Sequence, residues 1–266
     1  MKQVISVLLC IFILTPTLLS AQETKDEEIE PRRQPSDFEL GKRPAVREEE
    51  PESFDEIFGR YLETNGGRAA IDRVLSLRMI GNLIFNEQEI RFQMIKKRPN
   101  RMQLTQYLPD FEWVTVTDGE EAWEYIIREG VKSTPKLLDE VRRNQFIDSA
   151  IFDSVFMRNA RVSGAVTLLG KETFNNIPCW VMTMREGDNE YRVYIDERTY
   201  REVGVVRTDT QDLTEKTLFS RYQKIEPLWI PFVIQQAGRG PERSIELEEV
   251  RLNVGVFDSF FDNPVE

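Results

Sequence analysis

The sequence predicts a mainly β domain built on a curved antiparallel sheet with one apolar face. Between Ser76 and Leu252, short segments alternate apolar and polar residues, which is the period of a half-buried strand. In one such segment Ile90, Phe92 and Met94 share one side. The chain also contains no histidine, which disfavours the common serine, cysteine and zinc sites. A sheet of this length must cover its apolar face with helices, with itself or with a ligand.

The first 52 residues are predicted to lie outside the folded domain. Residues 1–21 have the charged, apolar and small-residue sections of a secretory signal peptide. Residues 22–52 are rich in charges and proline and contain few large apolar side chains, so they are expected to form a disordered acidic linker. The folded domain is therefore predicted to span residues 53–266 of an exported, periplasmic protein.

Charge and cysteine content limit the partners and the means of stabilisation. The whole chain has a net charge of −11, and removal of Lys2 with the signal peptide makes it −12. This acidity argues against a nucleic-acid partner. Only Cys179 would remain after cleavage, so no intramolecular disulfide can form and the core alone must stabilise the fold.

Helices are predicted at the start of the domain. Ser53 and Glu56 have the spacing of a capping box, which satisfies backbone donors at a helix start. The next apolar residues fall on one stripe, and Gly66-Gly67 supplies a left-handed stop. A second short helix is expected from Ala69 to Leu75.

Turn sequences then divide the alternating region into about eleven predicted strands. One interruption, from Pro135 to Asn159, changes the spacing of apolar residues to three and four. Two helices are therefore expected between strands, with Asp148 as the N-cap of the second. Their apolar stripe would cover the apolar face of the sheet.

Catalytic candidates are restricted to carboxylates. Three acidic groups stand out, but exposed acids usually belong to turns or solvated faces, and the spacing of a calcium loop is absent. Cys179, without a histidine partner, is interpreted as a buried structural residue. No catalytic residue, metal site or cofactor is predicted. The groups are Asp118 with Glu120 and Glu121, Asp139 with Glu140, and Glu246 with Glu248 and Glu249.

Large aromatic and methionine side chains are concentrated on the predicted strands. Flexible apolar side chains of this kind can line an adaptable cavity for acyl chains. Composition alone favours the other interpretation, an ordinary core packed against the inserted helices, because an apolar stripe is usually core. The members are Phe92, Met94, Met102, Trp113, Trp123, Trp180, Met182 and Met184.

An ordered set of short motifs resembles the LolA and LolB-like superfamily, which includes outer membrane lipoprotein-sorting proteins. The motifs extend through almost the whole domain. They are Asn65-Gly66-Gly67, Lys97-Arg98-Pro99-Asn100-Arg101, Thr117-Asp118-Gly119 before Trp123, Gly170-Lys171-Glu172 before Cys179-Trp180, Tyr222 before Pro227-Leu228-Trp229-Ile230-Pro231, and Asn253 before Phe257 and Pro264.

The resemblance implies a non-enzymatic protein with an unclosed, strongly curved antiparallel β-barrel and helices over its concave face. That face would hold the acyl chains of a lipid or lipoprotein. On this basis Leu104 and the aromatic and methionine set are the candidate ligand-binding residues, and Ile151, Phe152 and Phe156 form the candidate lid. Two features depart from the family pattern: the acidic linker is not part of it, and no single basic residue is matched to the arginine that gates the lipoprotein carrier's lid.

Two classes of function follow. The first is an exported periplasmic protein that carries or senses lipid or lipoprotein acyl chains, with an envelope protein as a further partner. The second is a non-enzymatic protein-interaction module with a fully packed interior. A carboxylate hydrolase is a distant third. A cavity behind the helices distinguishes the first from the second.

Overall fold

The computed structural model describes residues 53–238 and 240–263, so the predicted signal peptide and linker lie outside the described residues. Four α-helices and a short 3-10 helix are present within this part of the chain. Their bounds are α1 (Phe54–Thr64), α2 (Arg68–Asp72), α3 (Glu140–Ala150), α4 (Val155–Asn159) and the 3-10 helix Asp258–Phe260.

The strands of the described chain number 14 rather than about eleven, and all pair antiparallel. Two of the additional strands contain only two residues each, too short to show an alternating pattern in the sequence. The strands are β1 (Ser76–Phe85), β2 (Gln88–Lys97), β3 (Arg101–Leu108), β4 (Phe111–Thr117), β5 (Ala122–Arg128), β6 (Val131–Lys132), β7 (Lys136–Leu137), β8 (Val166–Phe174), β9 (Ile177–Glu186), β10 (Asn189–Asp196), β11 (Glu202–Thr208), β12 (Thr214–Ile225), β13 (Leu228–Gly238) and β14 (Gly240–Leu252).

One continuous sheet contains all of these strands. Its order is β6-β5-β4-β3-β2-β1-β14-β13-β12-β11-β10-β9-β8, and β7 pairs with β5 beside that path. The first and last strands of the sequence order, β1 and β14, meet in the middle of the sheet. The two ends of the order are not joined by hydrogen bonds within the described residues, so the sheet is open.

The helix ends confirm most of the predicted signals and correct one. Ser53 and Glu56 form the capping box of α1, and Gly66 and Gly67 have φ of 79° and 85° after its end. Asp148 is not the N-cap of the second inserted helix, because it lies inside α3. Ser154 caps α4 instead, accepting a hydrogen bond from the backbone N–H of Met157 at 3.2 Å. The apolar spacing continues across the break between the helices and so could not locate it.

A single hydrophobic cluster, here called the main core, joins the helices to the sheet. It contains buried residues from all four α-helices. It also contains Ala122 of β5, near one end of the strand order, and Trp180 of β9, near the other. Phe92 of β2, between them, belongs to it as well. The alternation of most of the strands therefore turns one apolar set toward a common interior.

Two smaller clusters pack on other surfaces of the sheet. One contains Cys179, which is fully buried and whose thiol pKa is raised by burial to about 12. A thiol in this state is a poor nucleophile, in agreement with a structural role. The other contains Val116, Trp123 and Phe261.

Candidate ligand-binding cavity

A cavity of about 150 Å³ lies among α1, α2, the segment leading into α4, and strands from the middle of the sheet. Most of its wall is apolar, and most of the apolar residues belong to the main core. Such a wall provides few hydrogen-bond partners for water, and it is suited to a hydrocarbon group. The principal apolar residues are Ile71, Leu77, Met79, Met157, Phe219 and Ile230.

A polar group in the wall, here called the Glu202 cluster, contains Tyr61, Ser154, Glu202 and Tyr222. The hydroxyls of Tyr61 and Ser154 donate to Glu202 Oε1 at 3.0 and 3.3 Å. The hydroxyl of Tyr222 donates to the Glu202 carbonyl oxygen at 2.6 Å. Burial raises the pKa of the Glu202 carboxyl and raises that of Tyr61 well above its ordinary value. Because Ser154 is the N-cap of α4, these bonds connect the start of α4 to α1 and β11.

The segment between α3 and α4 is also held from the sheet side. Arg98 pairs with Asp153 at 2.7 Å, and its guanidinium lies 4.3 Å from the centre of the Phe152 ring. The ammonium of the buried residue Lys96 donates to the Ser149 carbonyl at 2.5 Å, near the C-terminus of α3, where a cation is favourable. Polar contacts thus fix both sides of the break between the helices.

Arg201 lies in the wall beside the Glu202 cluster. Its guanidinium lies 3.5 Å from the centre of the Trp229 ring, a close cation–π arrangement. Burial lowers the pKa of Arg201. The cavity therefore combines a hydrocarbon-like interior with a cation on its wall.

Most of the predicted ligand-binding residues are packed in the main core and do not line this cavity. Each is at most 6% exposed. They belong to one cluster, in which they contact protein atoms rather than open space. The residues are Phe92, Met94, Met102, Leu104, Trp180, Met182 and Met184.

Two predicted ligand-binding tryptophans lie elsewhere. Trp123 is in the cluster with Val116 and Phe261, and Trp113 belongs to none of the clusters of the described residues. Ala122 belongs to the main core and its neighbour Trp123 to the smaller cluster, so Ala122, not Trp123, turns toward the main core.

The predicted lid residues occupy three different positions. Phe152 lines the cavity, and Ile151 is the partly exposed C-cap of α3. Phe156 of α4 is 0% exposed, and its ring meets those of Phe58 and Tyr61 edge to face at 5.7 and 5.0 Å. This aromatic contact joins α4 to α1.

Several motif residues from the sequence meet in space around the cavity. Asn65 Oδ1 accepts a hydrogen bond from the backbone N–H of Trp229 at 3.2 Å. Its amide nitrogen donates to the Tyr61 carbonyl at 3.0 Å. A Cβ at Gly66 would lie 2.8 Å from Pro227 Cβ, so the glycine permits this close approach. Two motifs that are more than 150 residues apart therefore pack against each other at the cavity wall.

Sequence reasoning missed Glu202, Arg201 and Tyr61 as cavity residues. Tyr61 and Glu202 contact each other across 141 positions of the sequence, so local periodicity carries no signal for them. The motif containing Trp229 was the available signal for Arg201, since the tryptophan is its stacking partner.

Each of the three acidic groups identified in the sequence contains a residue with a structural contact. Asp118 Oδ1 accepts the backbone N–H groups of Glu120 and Glu121, and Asp139 caps α3. Glu248 pairs with Arg91 at 2.9 Å. Within residues 53–238 and 240–263, no group of three potential metal ligands is assembled. Over the same residues, no helix has the length and apolar character needed to span a membrane.

Asp148 supplies a pH-dependent prediction. Burial raises the pKa of its carboxyl to about 7, Arg158 opposes the shift and Glu186 adds to it. Because the folded-state pKa exceeds the unfolded value, the folded state binds more protons between about pH 4 and 7 and loses stability as pH rises through that window. We expect Asp148→Asn to be more stable than the wild type at pH 8 by about 1 kcal/mol, allowing for partial exposure, and the difference to vanish near pH 4. Urea unfolding at both pH values measures this, and a pH-independent difference would contradict it.

Comparison with known proteins gives structural matches only. No protein-family model and no curated protein matches the sequence. A putative outer membrane lipoprotein-sorting protein domain from Vibrio parahaemolyticus matches with a TM-score of 0.56 at 12% identity, over 79% of this chain and 96% of that one. A DUF1329 family protein from Desulfovibrio piger gives 0.54 at 13%, over 79% and 98%. A LolA superfamily protein from Nitrosomonas europaea gives 0.50 at 13%, over 77% and 97%. The chain therefore has the LolA-like fold, as its motifs indicated.

Proposed function

We propose that this protein binds the acyl chains of a lipid or lipoprotein and acts as a carrier or a sensor. The observation that carries the proposal is an apolar cavity beneath α1 and α4 in a fold shared with a lipoprotein-sorting domain. The proposal assigns the protein a non-enzymatic role.

A curved sheet with helices over its concave face is part of the proposal. Ten strand-to-strand steps separate β5 from β9 in the sheet order, which would be about 48 Å in a flat sheet. Helices α1 and α3 contain 11 residues each and are only about 16 Å long. Membership of β5, β9 and all four helices in one core is therefore best explained by strong bending of the sheet around the helices.

The cavity is smaller than a site for a whole acyl chain. A volume of about 150 Å³ suits a benzene-sized group, whereas drug-sized ligands occupy about 300–1,000 Å³. In our proposal, the chain enters as α4 and residues 151–154 move away from the sheet. The predicted ligand-binding residues of the main core would then line the enlarged space.

Energetics allow such an opening. Burial of each methylene contributes about 0.8 kcal/mol, so a twelve-carbon chain supplies up to about 9 kcal/mol. A ligand can shift a conformational equilibrium only by its differential affinity for the two states. A long chain bound only in the open state can therefore offset the loss of several helix contacts.

The setting of the proposal is outside the cytoplasm. The signal-like character of residues 1–21 supports export to the periplasm, with residues 22–52 as a spacer. An envelope protein is the proposed partner that loads or receives the chain. The alternative, an interaction module with a fully packed interior, fits poorly with the cavity.

The proposal is tested by titrating the mature chain with a fluorescent fatty acid. We expect saturable binding by the wild type and at least about tenfold weaker binding by Phe152→Asp, because a carboxylate at the cavity wall opposes burial of the chain. Trp180→Asp is expected to have the same effect through the core. Phe257→Asp is the matched control, since this side chain is 82% exposed.

Circular dichroism must show that each variant remains folded. Absence of saturable binding by the wild type would remove the proposal. Equal binding by folded Phe152→Asp and the control would place the chain somewhere other than this cavity.

A further inference from the structure

The polar side chains of the cavity wall are almost all paired within the protein. Asn65 bonds to two backbone groups, and Arg98 forms an ion pair with Asp153. In the Glu202 cluster, the hydroxyls of Tyr61, Ser154 and Tyr222 all donate to oxygens of Glu202. Buried polar groups are usually paired in this way, so any exception needs an explanation.

Arg201 is the exception. No carboxylate among residues 53–238 and 240–263 lies within ion-pair distance of its guanidinium, and its Nε is buried without a hydrogen-bond partner. Within the described residues, its guanidinium makes cation–π contacts with the rings of Trp229 and, at 5.7 Å, Tyr222. An arginine stays protonated in proteins, so a positive charge with free donors remains on the wall of an apolar cavity.

The acidic neighbours of Arg201 are engaged elsewhere. Asp196 exerts an electrostatic influence on Arg201, but its Oδ1 accepts the backbone N–H groups of Arg198 and Thr199 at 2.8 and 3.2 Å. Glu202 Oε1 accepts the hydroxyls of Tyr61 and Ser154. The guanidinium is therefore available for an external anion.

We propose that Arg201 binds the carboxylate or phosphate head group of an amphiphile whose hydrocarbon chain lies in the cavity. This inference rests on the proposed function and narrows its ligand to anionic, chain-bearing molecules. The planar guanidinium matches carboxylate and phosphate geometry and can bind either through two parallel hydrogen bonds. Stacking on Trp229 fixes the plane of the guanidinium and leaves its edge donors free for such a pair.

Calorimetric titration of the full mature chain with ligands of equal chain length tests the inference. The probes are dodecanoate, dodecyl phosphate and dodecanol, each kept below the concentration at which it self-associates. We expect the wild type to bind both anions at least about tenfold more tightly than the alcohol, the size expected for a charged hydrogen bond. Inorganic phosphate and acetate, which lack a chain, are expected to bind too weakly to detect.

Variants separate the head-group contact from the chain contact. Arg201→Gln should bind the anions and dodecanol equally, with its affinity for dodecanol unchanged. Arg201→Lys should retain part of the preference, because it keeps the charge and loses the planar fork. Arg198→Gln is the matched control: it makes the same charge change at an exposed position on the preceding turn, and it should keep the full preference.

The outcomes separate this inference from the proposed function. Binding of dodecanol and the anions with equal affinity by the wild type would overturn the head-group assignment and leave acyl-chain binding intact. A preference that survives Arg201→Gln would also overturn it, as would inorganic phosphate binding as tightly as dodecyl phosphate. Failure of all three chain-bearing probes to bind the wild type would remove both proposals.

Discussion

Phe156→Ala is expected to lower the free energy of unfolding by about 3–5 kcal/mol. The ring is fully buried and meets three other rings edge to face, those of Phe54, Phe58 and Tyr61. Truncation removes these contacts and leaves a void between α1 and α4 that a close-packed core fills only in part. Urea unfolding followed by circular dichroism gives the difference directly.

Phe257→Ala is the matched control for this truncation. The Phe257 side chain is 82% exposed, so its removal should change the free energy of unfolding by less than about 0.5 kcal/mol. A loss below about 1 kcal/mol for Phe156→Ala would contradict the account, because it would mean that α4 contributes little to the closed structure.

Gly81→Ala should destabilise the protein by about 3 kcal/mol, an unusually large effect for one added methyl group. Gly81 lies at an irregularity in the pairing of β1 with β14, where the register shifts between Ile80 and Gly81. A Cβ built there would lie 2.9 Å from the Leu247 Cα and closer still to the Glu246 carbonyl oxygen. Both are backbone atoms of the partner strand, so the strands would have to separate.

The same substitution in α1 provides the control. Gly59 is inside the helix, and a Cβ there would meet nothing within 4 Å. Gly59→Ala should therefore stabilise the protein by about 0.5–1 kcal/mol. If Gly81→Ala proved neutral, the close approach of β1 and β14 at the middle of the sheet would be in error.

Local signals in the sequence predicted local structure well. The capping box at Ser53, the glycine stop at Gly66 and the alternation of the strands depend on interactions between residues near each other in the chain. The fold also followed from the ordered motifs, whose members pair in space, as Asn65 does with Trp229. Asn100 likewise donates to the Gly119 carbonyl at 3.0 Å, which joins two further motifs.

Alternation could not say which face of β5 turns toward the main core, because the more apolar face packs elsewhere. In β5, Trp123 shares its side of the strand with Tyr125, and both belong to or pack against the cluster that contains Phe261. That cluster depends on the C-terminal segment crossing the other face of the sheet, which no local pattern in β5 encodes. The prediction of Trp123 as a ligand-binding residue rested on its place in the aromatic and methionine set and on the family resemblance, and neither specifies which face of the sheet a residue occupies.

The cavity itself depends on long-range packing. Its wall combines Tyr61 of α1, Phe152 before α4 and Glu202 of β11. Such a cavity arises where side chains from distant elements do not completely fill the space between them. The periodicity of the sequence carries no information about that fit. Most of the predicted aromatic and methionine set instead lies in the packed main core, and its role in ligand binding stays a prediction.

The central claim is that the apolar interior beneath the helices accepts an acyl chain. Mass spectrometry of lipids retained by the mature protein, purified without detergent, tests it most directly. We predict a chain-bearing lipid retained by the wild type and by Phe257→Asp, and lost from folded Phe152→Asp. Wild-type protein free of lipid even after incubation with a total lipid extract would contradict the claim.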